Sequence, residues 1–410
     1  MTTFPLPLVE LLGQYGSYGI YLLIGILFGA TLETAGFGNS RKLAAQFYFK
    51  DLTVFKVMFT AIIVACVLIF LSSSIGLLDY NLVWVPPTYL WPGIAGGLIM
   101  GAGFIVGGFC PGTSLVAMAT GKVDGIFFVL GVLSGIFVFG ETVDSFGVFF
   151  ESSYMGRFTL PELFGLDYGV VVLAVVIMAL LMFWGAEKIE AAVGGETAQK
   201  APRWAVPAAA ALVALAALSL VIGQPDNADR WNRIEAEQIA LVDERSVQIS
   251  PAELLSVIHD AQVKAVMLDM RDERHYNQFH IHGAQRLAPD EVVDTAREFM
   301  MEPANTVFIT MGNDESAATE AWKTLKAESL PNVYILEGGV NNWIRTYAEP
   351  SFVEQRLLRN RGNDQPAYRF DAAIGSRHPA AEPNPYAFEI EFEPKVKLEL
   401  KRAPSSGGCG

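Results

Sequence analysis

The chain has 410 residues, 52% hydrophobic and 18% charged, with a mean hydropathy of +0.34. Soluble globular chains carry about 25% charged residues, so the deficit points to a membrane. The formal net charge of −14 excludes a nucleic-acid binder, which needs a basic face, and three cysteines (Cys66, Cys110, Cys409) are too few and too scattered for a disulfide scaffold or a zinc site.

These averages hide two halves. Residues 1–223 hold 9 Lys/Arg and 13 Asp/Glu; residues 224–410 hold 20 and 30. The first half is nearly uncharged per unit length, and the second has the composition of a soluble domain. No cofactor and no metal are implied.

From the N-terminus, residues 1–10 lack a basic residue and a cleavage site, so they do not read as a signal peptide. Apolar runs near the 20 residues needed to span a bilayer then fall at about 16–37, 53–77, 89–109, 124–142, 168–186 and 204–223. A membrane transport domain over 1–225 is expected, with six spans. Cys66 lies inside an ordinary apolar span and reads as packing. Lys and Arg set the orientation. Arg41, Lys42, Lys50, Lys56, Lys122, Lys188, Lys200 and Arg203 fall on one side, against Arg157 alone on the other. The sixth span then exits away from the cytoplasm. Everything after Gln224 is expected outside a bacterial inner membrane, in the periplasm of a Gram-negative source.

An internal repeat recurs at an offset of 72. Gly25, Gly29, Ala30, Gly36 and Phe37 return as Gly97, Gly101, Ala102, Gly108 and Phe109; Leu43, Ala45, Lys50 and Phe55 return as Leu115, Ala117, Lys122 and Phe127. Each unit reads as a glycine-lined span, a break, a re-entrant half-helix and a second span. Broken helices in matching positions of two repeats mark a transport site. The first break reads Gly36-Phe37-Gly38-Asn39-Ser40-Arg41, the second Gly108-Phe109-Cys110-Pro111-Gly112-Thr113-Ser114. Asn39/Ser40 and Thr113/Ser114 suit N-caps, and helix N-termini attract anions. Arg41 is expected to add positive charge, and Glu33 is an intramembrane carboxylate of functional interest. Cys110 sits where a helix N-terminus favours a thiolate.

The two breaks, the QFYFKD stretch and the FCPGTS stretch resemble the YeeE/YedE family of sulfur-compound transporters. The resemblance implies uptake of thiosulfate or a related sulfur anion, with pathway cysteines at the breaks. This chain keeps Cys110 but has Gly38 at the first break.

Residues 230–350 read as α/β. Buried strands are expected at 264–269, 306–310 and 332–336, with helices at 251–260, 290–302 and 315–328. Asp269, Arg271, Tyr276, His280 and the Gly338–Trp343 stretch resemble the rhodanese signature, with anchoring roles for Asp269, Arg271, His280 and Trp343. The resemblance implies a catalytic cysteine after the second strand. Thr310-Met311-Gly312-Asn313-Asp314-Glu315-Ser316 stands there instead, with Thr310 at the cysteine position. Asp314 and Glu315 are expected to repel thiosulfate, so the loop is expected to dock rather than catalyse.

Residues 351–410 are expected to form an extended tail, with strand-like alternation in FEIEF (388–392) and VKLEL (396–400). Gly407-Gly408-Cys409-Gly410 resembles the cysteine arm of the periplasmic carrier subunit in sulfur-oxidising systems, which implies covalent sulfur carriage on Cys409. The reading is therefore an α-helical polytopic transporter of an inorganic sulfur anion followed by a rhodanese-like domain, its partners the anion, the bilayer and a soluble sulfur-carrier protein. The alternatives are a membrane-anchored sulfur-transfer enzyme or a carrier-docking module, each without flux.

Overall fold

The computed structural model describes residues 4–193, 203–358, 362–388 and 390–399. They form two compact units, and the chain passes from one to the other at Gln224–Pro225.

In the first unit, α1 (Leu8–Thr34), α2 (Ser40–Ala45), α3 (Thr53–Ser74), α4 (Leu90–Gly107), α5 (Pro111–Ala119) and α6 (Val123–Thr142) are followed by the short α7 (Gly147–Phe150) and α8 (Leu160–Phe164). The long α9 (Tyr168–Val193) and α10 (Ala205–Ile222) complete it. Among the described residues six helices are long and apolar enough to cross a membrane. The first starts earlier than the apolar run suggests, because Gly13, with φ +68°, kinks α1 and lets a short helical lead-in join it. At 1.5 Å per residue, α2 and α5 extend about 9 and 14 Å, too short for a core of about 30 Å.

Helices α3, α9 and α10 pack through Ile63, Val67, Val172, Val176, Ala179 and Ala216, and Cys66 lies against this cluster. Polar contacts pin both ends of the trio. Glu190 of α9, 3% exposed, pairs with Lys56 Nζ of α3 at 2.7 Å. At the other end, the Gln224 amide donates to Phe70 O and Ser74 Oγ. The spans α1 and α6 are barer: 6% of the apolar window of each is buried, against 17%, 33% and 11% of those of α3, α9 and α10.

The second unit opens with α11 (Asn227–Asp243), anchored by Asn227 and Arg230 on the buried carboxylate of Glu328. Five strands follow: β1 (Gln248–Ile249), β2 (Lys264–Asp269), β3 (Gln285–Arg286), β4 (Thr306–Met311) and β5 (Val333–Leu336). All pair in parallel, in the order β1-β5-β4-β2-β3. The connections carry α12 (Pro251–Ile258), α13 (Glu273–Gln278), α14 (Val292–Phe299), α15 (Ser316–Ala327), α16 (Gly339–Tyr347) and α17 (Pro350–Arg356). Both faces of the sheet are covered, so its central strands are continuous apolar runs. At the end of β2, Arg271 Nε donates to Asp269 Oδ1 at 2.8 Å and the guanidinium also reaches Phe279 O. His280 stacks on Tyr276 with ring centroids 4.0 Å apart. Trp343 is fully buried and donates its indole N–H to Ala380 O at 2.7 Å.

That last bond belongs to an unexpected layer. Residues 362–388 lie on the domain, burying Ala367, Tyr368, Ala380 and Ala381. The strands expected at 388–392 and 396–400 are absent among the described residues. Around the second stretch, backbone N–H groups find side chains instead. Lys395 N and Val396 N donate to Glu253 Oε1, Lys397 N to Tyr334 Oη, and Glu399 N to Asn332 Oδ1. With those donors satisfied, no neighbouring strand is needed.

His378 clamps this layer. Its ring packs among Phe279, Phe352 and Phe370, and its Nδ1 accepts from Ala380 N at 3.1 Å. Burial pushes its pKa below the ordinary histidine value, with Glu349 pulling weakly the other way. As pH falls, the unfolded chain therefore takes up this proton first. The stabilising contribution is intact above about pH 6.5 and is lost toward the lowered folded value. Amide exchange over 367–381, corrected for intrinsic rates, is expected to accelerate between about pH 7 and pH 5.5. A flat profile refutes the clamp.

Candidate functional site

The two breaks are built alike. α1 ends at Thr34, and Gly36 (φ +82°) turns the chain left-handed; α4 ends at Gly107, and Gly108 (φ +72°) does the same. An L-residue in that conformation costs about 1–2 kcal/mol. After each glycine comes a buried phenylalanine: Phe37 and Phe109 share one cluster with Leu43, Val54 and Ala117. Phe128 closes it edge-on to Phe109 at 5.8 Å. The breaks also touch. A Cβ on Gly108 would lie 3.1 Å from Ser40 Cβ.

At the first break, Asn39 is the N-cap of α2, and its side chain accepts from Arg41 N at 3.1 Å. Arg41 is exposed. The cations beside this break are others. Lys42 Nζ donates to Ala35 O at 3.2 Å, satisfying a carbonyl at the end of α1. Lys122 Nζ stands 3.5 Å from Glu33 Oε1. Gly38 is buried beneath this pair, since a Cβ there would meet Glu33 Oε2 and Lys122 Nζ within 3 Å. The sequence marks Lys122 as an orientation charge and as the repeat partner of Lys50, and neither mark points to Glu33.

At the second break, Cys110 is the N-cap of α5, with Pro111 at the first helical position. Thr113 N donates to Cys110 Sγ at 3.4 Å, and Cys110 N donates to Thr113 Oγ1 at 2.9 Å. This is a capping box with sulfur in place of the usual oxygen. Thr113 and Ser114 are buried, and Ser114 Oγ donates to Pro111 O at 2.7 Å. Gly112 lies between them on the first turn. The structure thus gathers Glu33, Gly38 and Lys122 at one point, Ser40 and Gly108 at a second, and Cys110 with Thr113 at a third.

In the soluble unit, Thr310 lies inside β4, fully buried, and its hydroxyl donates to Tyr334 O at 3.2 Å. Met311 ends the strand, so the loop proper runs from Gly312 to Glu315. Its carbonyls cap α16: Val340 N donates to Gly312 O and Asn341 N to Asn313 O. Its two acids are turned to partners. Asp314 accepts from Ser316 N at the start of α15 and from Asp364 N. Glu315 accepts from Gly338 N and pairs with Arg245 at 2.8 Å. That hydrogen bond holds the Arg245 guanidinium above its ordinary pKa. Residues 111–408 contain no cysteine, so the domain has no thiol of its own to carry sulfur. Cys409 lies outside the described residues.

The break glycines separate by what opposes a side chain. Gly108→Ala meets Ser40 and adopts a left-handed backbone, so it is expected to destabilise the membrane unit by about 1–2 kcal/mol. Gly38→Cys meets only the ends of two flexible side chains in a half-exposed ion pair, a contact of at most about 1 kcal/mol. Detergent-melt midpoints check the order, and equal midpoints contradict it.

The family model described as Sulphur transport matches residues 35–236, and that of the Rhodanese-like domain matches 250–346. Over 100 residues, 24% of this chain and 86% of the relative, it is 31% identical to thiosulfate sulfurtransferase GlpE of Pseudomonas entomophila (strain L48). No solved structure matches. The chain belongs to the sulphur-transport (YeeE/YedE) family and carries a rhodanese-like domain.

Proposed function

We propose that the membrane unit carries thiosulfate, or a closely related sulfur anion, across a bacterial inner membrane past the paired breaks. The carrying observation is the capping box at Cys110. In a chain of the sulphur-transport family, the break places a thiol at a helix N-terminus, where N–H groups and the helix dipole favour negative charge. Lys42 and Lys122 supply positive charge at the first break, while Gly38 has no thiol to pass the anion on. On this reading α2 and α5 are the re-entrant segments, and Cys110 is the thiol of the path.

The charge asymmetry of the loops supports a periplasmic soluble unit. There the rhodanese-like domain docks a sulfur donor or a soluble sulfur-carrier protein, and Cys409 holds the sulfur. A thiol-free domain suits docking better than sulfur transfer.

Cys110→Ser keeps a good N-cap and removes the thiol. In proteoliposomes its initial uptake of labelled thiosulfate is expected to fall at least about tenfold, a barrier increase of about 1.4 kcal/mol, with an unchanged melting profile. Uptake at the wild-type rate rejects the thiol path. Topology is tested separately. A membrane-impermeant maleimide is expected to label Cys409 in intact cells, and labelling only after lysis places the soluble unit inside.

A further inference from the structure

Open parallel α/β sheets bind ligands outside the carboxyl ends of their strands. In this domain that end is filled by the chain itself. Pro366, Tyr368 and Phe370 lie there with Arg271, Phe279, Asn313 and Asn341 around a residual cavity of about 10 Å³, at the lower limit for one water. Asn341 fastens the segment from both sides, donating to Gln365 O at 2.9 Å and accepting from Ala367 N at 2.6 Å.

At the head of this segment is Asp364. Its Oδ1 accepts from two successive backbone donors of the β4–α15 loop, Asn313 N at 2.8 Å and Asp314 N at 3.2 Å. The Asn313 side chain donates to Asp364 O at 2.8 Å. Successive N–H groups converging on one point form an anion-binding concavity. Asp364 reaches it with φ +50°, a backbone conformation unusual outside glycine. Gly312 leaves room, since a Cβ there would stand 3.0 Å from Asp364 Oδ1. Asp314 and Glu315 do not empty the cradle of anions, because their carboxylates are turned to Ser316 N, Gly338 N and Arg245.

We propose that residues 364–370 are a built-in occupant of the sheet's ligand end, with the Asp364 carboxylate held where a small tetrahedral sulfur oxyanion binds once the segment withdraws. The domain is then self-closed at rest, and access to its loop is controlled by a competing internal carboxylate. This concerns the soluble unit alone and is read by binding, so failure of the transport reading leaves it standing, and the converse also holds.

The test is amide hydrogen exchange on the full-length protein in detergent. Sodium thiosulfate and sodium sulfate serve as probes, against sodium chloride at equal ionic strength. In the wild type, exchange over 312–316 is expected to be slow and indifferent to either oxyanion. Asp364→Ala removes hydrogen bonds to a charged acceptor, so exchange there is expected to rise about ten- to a hundredfold. Millimolar thiosulfate or sulfate is expected to restore protection, and chloride is not. The proposal is overturned if the variant exchanges like the wild type, if neither oxyanion slows it, or if wild-type protection already depends on the oxyanion. Should Asp364→Ala also lose protection in β2 and β4, Asp364→Gly, which suits the φ of +50° and equally lacks the carboxylate, is read by the same criteria.

Discussion

Two left-handed glycines, each followed by a buried phenylalanine, govern the membrane unit. A helix that stops leaves carbonyls without partners, and in a low-dielectric layer each such group costs several kcal/mol. Here the ends are closed locally. Gly36 N and Phe37 N donate back to Glu33 O and Leu32 O, Gly108 N to Phe104 O, and Lys42 covers Ala35 O. Phe37 and Phe109 then sink into one cluster. The turns bring Ser40 against Gly108 and place Cys110 at the start of a helix. Remove the left-handed turns and these juxtapositions disappear together.

The soluble unit follows another logic. A parallel sheet covered on both faces leaves only its ends for chemistry, and the β4 end is the expected place. The loop there is intact as a backbone device: its carbonyls cap α16 and its N–H groups hold an anion. What has changed is the chemistry mounted on it. A fold shared with a sulfurtransferase is used without the nucleophile, and fold alone does not carry function.

Much of this was legible in the sequence, for identifiable reasons. Spans and buried strands such as KAVMLD and TVFIT are continuous apolar runs, so length and flanking residues expose them. The break glycines were legible because the repeat marks them twice. Arg41 and Lys42 are adjacent on a short helix, and composition does not say which of two neighbouring cations turns toward the break. The layer formed by 362–388 was hidden for a different reason. It is held by single long-range bonds, such as Asn341 to Ala367 and Trp343 to Ala380, and by rings such as Tyr368, Phe370 and His378 that follow no period. Asp364, in a Gly-Asn-Asp stretch, reads locally as a turn. The alternation in FEIEF and VKLEL is real, but along VKLEL Glu253, Tyr334 and Asn332 satisfy the backbone before a sheet edge does.

Unequal packing among the spans bears on how such a protein moves. The trio α3, α9 and α10 is interlocked by side chains and pinned at both ends by Glu190 and Gln224. By contrast α1 and α6, which carry Glu33 and follow directly on Lys122, are bare over most of their apolar surface. Their free energy comes from partition into lipid, which changes little when a helix tilts or slides, whereas separating the trio forfeits close contacts. Tilting α1 or α6 therefore costs the fold less packing than parting the trio does.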